Sequence, residues 1–253
     1  MRKVVLIIAG LAIFALLAAI GCNSRGGGGT GPGTSTPFKI HGIFVRDDNL
    51  TSSKDKAGFQ LTRNDTLFNL AAFTIDTFKV DTTFFSTYYR QSPPDFLSPG
   101  QSHSINLVYA PNNLNFTTSL FMPDTFSVIV TDPATRINTG GQRVLIQWTG
   151  SANATGYLVA CMHDTAQLDT SFFATSGATD ATIPNDAFQR AGSPLPGTYK
   201  IFVIAFKGGL FPYSGMPSPI PGNYSPTDTI YSSTVSGRIT AAFVCKYDSV
   251  IVP

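Results

Sequence analysis

Acid–base or nucleophilic chemistry needs reactive groups that converge, and this 253-residue chain holds only three histidines, His41, His103 and His163. Two of them stand beside a partner, in Ser102-His103 and His163-Asp164. Neighbouring side chains on a strand project to opposite faces, so neither pair forms a base and its orienting partner without a bend. His41 and His103 therefore read as solvent-facing members of alternating strands. All 15 acids are Asp and no Glu occurs, which rules out a His-Glu-x-x-His metalloprotease helix; no Gly-x-Ser-x-Gly elbow is present either. A two-carboxylate glycosidase could use Asp alone. Asp47, Asp48, Asp55, Asp65, Asp124 and Asp186, however, all sit within two residues of Asn, Pro, Ser or Gly, where Asp caps backbone amides in turns. Asp47, Asp48, Asn49 and Asp55 could offer oxygens to calcium, but their spacing matches no calcium loop. With no Cys-x-x-Cys and no glycine-rich phosphate loop, no metal site and no cofactor is expected, and the chain reads as a non-enzyme.

The composition points to the elements that would carry any site. Apolar residues make up 43% of the chain, enough for a core, while Thr, Ser, Asn, Gly and Phe abound in place of helix formers. At the start, Arg2 and Lys3 precede an unbroken apolar run from Val4 to Ile20, then Gly21, Cys22 and polar residues: the order of an export signal. Ala19-Ile20-Gly21-Cys22 resembles the bacterial lipobox. That resemblance implies cleavage before Cys22, acylation of its sulfur, and a mature chain anchored to a membrane by this residue. Residues 1–21 are then a signal peptide and 22–37 a Gly-rich tether of solvated coil. Removing Arg2 and Lys3 from the 17 bases leaves 15 against 15 acids, so the mature chain is neutral and no nucleic-acid partner is expected. The expected location is the bacterial cell envelope, outside the cytoplasm, at the outer membrane or cell surface.

Beyond the tether, period-two alternation recurs in short runs separated by turn residues, which predicts an all-β chain of two antiparallel sandwiches. In residues 38–131, Phe38, Ile40 and Phe44 alternate, as do Ile105, Leu107 and Tyr109, then Leu114, Phe116, Leu120 and Met122. Turn signals at Asp47-Asp48-Asn49, Pro93-Pro94-Asp95 and Pro111-Asn112-Asn113 divide them. Thr131-Asp132-Pro133 closes this unit, and residues 132–253 form the second. There Val144, Ile146 and Trp148 share one face of a strand. Tyr157, Val159 and Cys161 share a face of the next, and Leu195-Pro196-Gly197-Thr198-Tyr199 leads into Ile201, Val203 and Ala205. About residues 125 to 247 resemble a fibronectin type III domain through Trp148, Tyr157 and the Leu-x-Gly-x-Tyr approach. Physically, Trp148 would fill the space between two sheets, and Tyr199 would bury its ring and return its hydroxyl to nearby backbone. The departure is a long insertion, residues 207–237, where the family has a short hairpin.

Strand parity exposes a second feature. If Tyr199, Ile201, Val203 and Ala205 point inward, Phe202, Ile204 and Phe206 point outward, and Leu158 and Met162 do the same on the neighbouring strand. An apolar face of this size needs a cover, worth roughly 8 to 15 kcal/mol as an upper bound. The insertion is the expected cover; the first sandwich and a protein partner are the alternatives. Its Phe211, Tyr213, Tyr224 and Tyr231 are the candidate ligand contacts, offering stacking surface to a sugar or a peptide among prolines, or else folding back as lids. Cys161 and Cys245 fall on strands separated by a third, about 9 to 10 Å apart, too far for a disulfide. The resulting expectation is a non-catalytic binding or structural module with a protein or carbohydrate ligand. An exported polysaccharide hydrolase using Asp residues and an envelope assembly subunit are the alternatives.

Overall fold

A computed structural model describes residues 38–82, 88–91, 93–132, 142–164, 171–208, 210–212, 224–226, 229–232 and 235–253. Within them the chain is built almost wholly of strands. The first half contains β1 (Phe38–Asp47), β2 (Asp55–Arg63), β3 (Thr66–Leu67), β4 (Ala72–Ile75), β5 (Phe78–Lys79), β6 (Asp81–Thr82), β7 (Tyr88–Gln91), β8 (Ser102–Tyr109) and β9 (Leu114–Phe121). The second contains β10 (Val128–Asp132), β11 (Val144–Trp148), β12 (Gly156–His163), β13 (Ser171–Ser176), β14 (Asp180–Ile183), β15 (Gln189–Arg190), β16 (Ser193–Pro194), β17 (Gly197–Lys207), β18 (Leu210–Pro212), β19 (Tyr224–Pro226), β20 (Thr229–Tyr231) and β21 (Val235–Val252). Among the described residues no helix is long and apolar enough to cross a membrane.

Alternation builds the layers as expected. Phe38, Ile40 and Phe44 of β1 and Ala57, Phe59 and Leu61 of β2 are buried on one side of a large sheet. Against that side packs the four-stranded sheet β5-β4-β8-β9, through Phe73, Ile75, Ile105 and Leu107. The rings of Phe59 and Phe73 meet edge to face at 4.6 Å, the geometry aromatic quadrupoles favour. In the second half, β10-β11-β14 packs on the same large sheet, with Trp148 against Tyr157 at 5.1 Å and Phe126 against Phe243 at 5.9 Å. Tyr199 is fully buried and donates its hydroxyl to the Leu195 carbonyl at 3.0 Å.

The two sandwiches are not beads on a string. The large sheet has ten strands and runs β13-β12-β17-β21-β1-β2-β7-β6, with β20 and β3 attached, so it crosses from one half to the other without a break. The crossing is a parallel pairing of the first and last strands, from Phe38 opposite Val235 to Asp47 opposite Val244. It gives the chain one continuous core cluster, from Phe38 to Val252. Parallel neighbours need a long connection, and here the connection is nearly the whole chain. The join expected after Thr131 falls inside β10, which pairs with β11 of the second half. Gly237 is what lets β21 enter this arrangement. It takes φ +149°, and a Cβ there would overlap the Ile40 carbonyl, so only glycine fits between β1 on one edge and β20 on the other.

Candidate functional site

The outward face of the large sheet carries a second apolar cluster: Ile43, Val45, Leu158, Ile204, Phe206, Ala242 and Val244, with Phe202 packed against it. Register explains its rows. Leu158 lies opposite Ile204 and Ile204 opposite Val244, while Phe206 lies opposite Ala242 and Ala242 opposite Val45. Gly156, also opposite Phe206, leaves the space its ring occupies; a Cβ at 156 would come within 2.8 Å of that ring. Of the five residues expected on this face, Leu158 and Ile204 are fully buried, Phe206 is buried, and Met162 and Phe202 are half-buried. Ile43, Val45, Ala242 and Val244 were not anticipated, because only the parallel β1–β21 pairing brings both halves into one face.

A cover over part of this face follows from the topology. Both edges of β1 are hydrogen-bonded, to β2 and to β21. The backbone of β19, which pairs with β18 instead, lies against β1 and β21, so it must sit over a face of the sheet. The inner face is occupied by β8, whose His103 ring meets Phe44, which leaves the side bearing Ile43 and Val45. The described strand β19 therefore lies over the outward side of β1 and β21. Of the candidate ligand contacts, Tyr213 lies outside the described residues, and for Phe211, Tyr224 and Tyr231 only the strand backbone is described. Cys22, the expected lipid attachment point, also lies outside them.

Beside the apolar rows the same face turns basic. His41 stands opposite Arg238 across the parallel pair, with Lys39 two residues away. Burial, then Arg238 and Lys39, push the His41 pKa below its ordinary 6.5.

The other polar groups of catalytic type are spent on structure. His103 was expected to face solvent; instead it is buried. Its Nδ1 lies 2.7 Å from Asp76 Oδ2, and its Nε2 lies 3.0 Å from the Ser98 amide, which suits an Nδ1–H tautomer donating to Asp76 and accepting from Ser98. The other Asp76 oxygen accepts the Ser104 amide. His163 is likewise buried, its ring edge-on to Tyr199 and its Nε2 3.1 Å from the Pro196 carbonyl. Ser102 faces outward from β8 while His103 faces in, as strand parity requires.

Asp55 departs furthest from expectation. It reads as a turn residue in the sequence, yet its carboxylate is wholly buried. It accepts the amides of Phe96 and Leu97, the latter at 2.8 Å, and Arg46 Nη1 at 3.0 Å. Arg46 also reaches Asp48 at 2.7 Å and Asp95 at 3.2 Å; burial lowers its guanidinium pKa, but Asp55 and then Asp48 outweigh burial and hold it above the usual value. Asp47 behaves as expected, capping the Asn49 amide at 3.0 Å. The oxygens offered to calcium are thus divided between a buried ion pair and a turn, and among the described residues no cluster suits a metal ion.

All three residues, His103, Asp55 and His163, lie in phase with buried neighbours on their strands: Ile105 and Leu107, Ala57 and Phe59, Val159 and Cys161. That parity was the signal that could have placed them inside. The thiols of Cys161 and Cys245 are free, with β17 between their strands. Burial drives the Cys161 pKa up to about 12 and raises that of Cys245.

No family model matches the chain, and no curated protein matches it. Among solved structures, the crystal structure of a stretch of titin domains is similar to 86% of this chain over 67% of its own length, at 11% identity and a TM-score of 0.23. A likeness that slight speaks neither for descent nor for activity, and the assignment to paired β-sandwiches stands on the strand order and core described above.

Proposed function

We propose that this chain is a bacterial lipoprotein, anchored through acylated Cys22, whose paired sandwiches serve the cell envelope as a non-catalytic binding or structural module. The export signal, the Ala19-to-Cys22 lipobox and the Gly-rich tether support the anchor. The resemblance of residues 125 to 247 to fibronectin type III supports a contact role with protein or carbohydrate. The observation that carries the non-catalytic part is the commitment of His103, Asp76 and Asp55 to structural hydrogen bonds, with His103 and Asp55 buried. Phe211, Tyr213, Tyr224 and Tyr231 of the insertion are the contact residues in this proposal.

Metabolic labelling with a radioactive fatty acid in a bacterial host tests the anchor. The parent chain should take up label and partition into detergent, and Cys22→Ala should lose both properties. A parent chain that stays unlabelled yet membrane-bound overturns the lipoprotein assignment in favour of an uncleaved span. Release of reducing sugar from a polysaccharide, abolished by an Asp substitution, would overturn the non-catalytic part.

A further inference from the structure

Sheet edges are where an all-β protein must defend itself, because they present unpaired N–H and C=O groups to any passing strand. Several edges here are defended. β5 and β6 are two residues long, β10 is broken by a register shift between Val130 and Asp132, and β14 begins with Asp180. β9 is different. At eight residues it is the longest edge strand among the described residues, hydrogen-bonded to β8 on one side only. Its sequence, Leu114-Asn115-Phe116-Thr117-Thr118-Ser119-Leu120-Phe121, holds no charge, no proline and no glycine, the composition that most readily accepts another strand.

The neighbouring hydrogen bonds tell which groups are on offer. The Asp76 amide donates to the Ser104 carbonyl at 2.7 Å, and the Ser104 amide donates to Asp76 Oδ1, so the backbone of Ser104 points toward β4. Ser104 lies opposite Ser119. In an antiparallel ladder, groups turned away from the partner on one strand are matched by groups turned away on the other. The amides and carbonyls of Asn115, Thr117, Ser119 and Phe121 therefore point off the free edge. All four residues are exposed, Phe121 by 46%.

We infer that β9 is a docking edge for the β9 strand of a second copy of this chain, paired antiparallel about a two-fold axis at Thr118. This register uses every outward group: Asn115 pairs with Phe121 of the other copy and Thr117 with Ser119, giving about eight backbone hydrogen bonds. It is also the register in which the strand complements itself. Phe116 meets Leu120, which is only half-buried in the single chain, Thr117 meets Ser119, and Thr118 meets its own counterpart. Hydroxyl pairs and apolar pairs of this kind stabilise antiparallel strands. Because each partner offers the same patch, the contact closes on itself as a dimer and does not propagate as a fibre. The four-stranded sheet β5-β4-β8-β9 becomes the half of an eight-stranded one. The inference stands apart from the Cys22 proposal, since it concerns only the folded strands.

The test uses the full chain in detergent micelles, with its mass read by light scattering corrected for detergent. The parent should show twice the chain mass. Thr117→Pro removes an amide that β8 does not use, and Thr117→Lys sets a charge on the edge with the backbone intact. Both should halve the mass with the circular dichroism unchanged. Register is tested by cross-linking in a chain carrying Cys22→Ser and Cys245→Ser, so that the introduced thiols alone can link two copies. Thr118→Cys should form a disulfide-linked dimer on mild oxidation, because counterparts at a non-hydrogen-bonded position lie about 4.5 Å apart at Cα. Thr117→Cys alone, with counterparts about 8 Å apart, should not, but should do so when mixed with Ser119→Cys. A parent chain of single mass overturns the inference and leaves β9 to an extended segment of another protein. So does a dimer that survives Thr117→Lys, or a Thr117→Cys chain that cross-links with itself as well as Thr118→Cys does.

Discussion

Replacing Asp55 by Ala tests whether the shared sheet makes the two halves one cooperative unit. The Asp55 carboxylate accepts the amides of Phe96 and Leu97, residues exposed by only 4% and 1%, so its removal strands two buried donors. Each costs about 1–3 kcal/mol. The loss of Arg46's partner adds little, because Arg46 keeps Asp48 at 2.7 Å, Asp95 at 3.2 Å and the Leu97 carbonyl at 3.1 Å. The full penalty of a broken buried pair, about 3–5 kcal/mol, therefore does not stack on the amide loss. The expected destabilisation is about 3–5 kcal/mol, a fall of roughly 1–2 M in the urea midpoint for a slope near 2–3 kcal/mol/M. The assay is fluorescence of Trp148, the only tryptophan, buried on β11 in the other half of the molecule, recorded alongside far-UV circular dichroism. Since one sheet and one core cluster join the halves, both signals should move together to the same lower midpoint. A Trp148 transition that stays put while the dichroism splits into two steps would show that the parallel β1–β21 seam does not couple them.

On the outer face, Ile204→Ala deletes a fully buried side chain wedged between Leu158 and Val244, and should cost about 2–5 kcal/mol by urea unfolding; a cost below 1 would mean the face is open. At the half-buried Phe202 the same truncation should cost less. His41 titrates below 6.5 when folded, so the unfolded chain takes up its proton first as pH falls. The stability its neutral form contributes above pH 6.5 drains away through 6.5 toward the lower folded value, and His41→Asn should flatten the fall in urea midpoint between about pH 7 and 5. An unchanged pH profile would refute that assignment. Native alkylation should spare Cys161, buried and with its pKa near 12, and label Cys245 first; mass spectrometry of the digested chain decides, and equal labelling would contradict the packing.

Much of the architecture is visible in the residue pattern, and what is not has a physical reason. Parity along β12 and β17 is enough to send Leu158, Ile204 and Phe206 to one face, because period two is a local property of a strand. The Tyr199 corner is equally local, its hydroxyl reaching only to Leu195. The partnership of β1 with β21 is not, since it joins residues at opposite ends of the chain and neither strand's pattern names its neighbour. Ile43, Val45, Ala242 and Val244 are missed for this reason alone. Asp55 and His103 are missed for another: residue type argued for the surface while phase argued for the core. Phase won because each found partners that satisfy it, Asp55 two amides and a guanidinium, His103 a carboxylate and an amide.

The same seam governs how the chain protects its own surfaces. A first sandwich ending at β9 would leave the β21-facing edge of β1 unpaired over ten residues and the outward side of Ile43 and Val45 without the neighbours Ala242 and Val244. The second sandwich would carry the complementary defect along β21, an 18-residue strand whose first half pairs with β1. Each half is thus the other's edge cover, and the pairing forms only once chain ends some two hundred residues apart have met, a contact of high sequence separation and slow formation. Until then both apolar rows and both edges are open. That places the demand for a cover on the insertion, which leaves β17 at Lys207 and brings β19 over β1 before the chain enters β21 through Gly237. In chain order the insertion thus falls between the strand that frames the apolar face, β17, and the strand that completes it, β21.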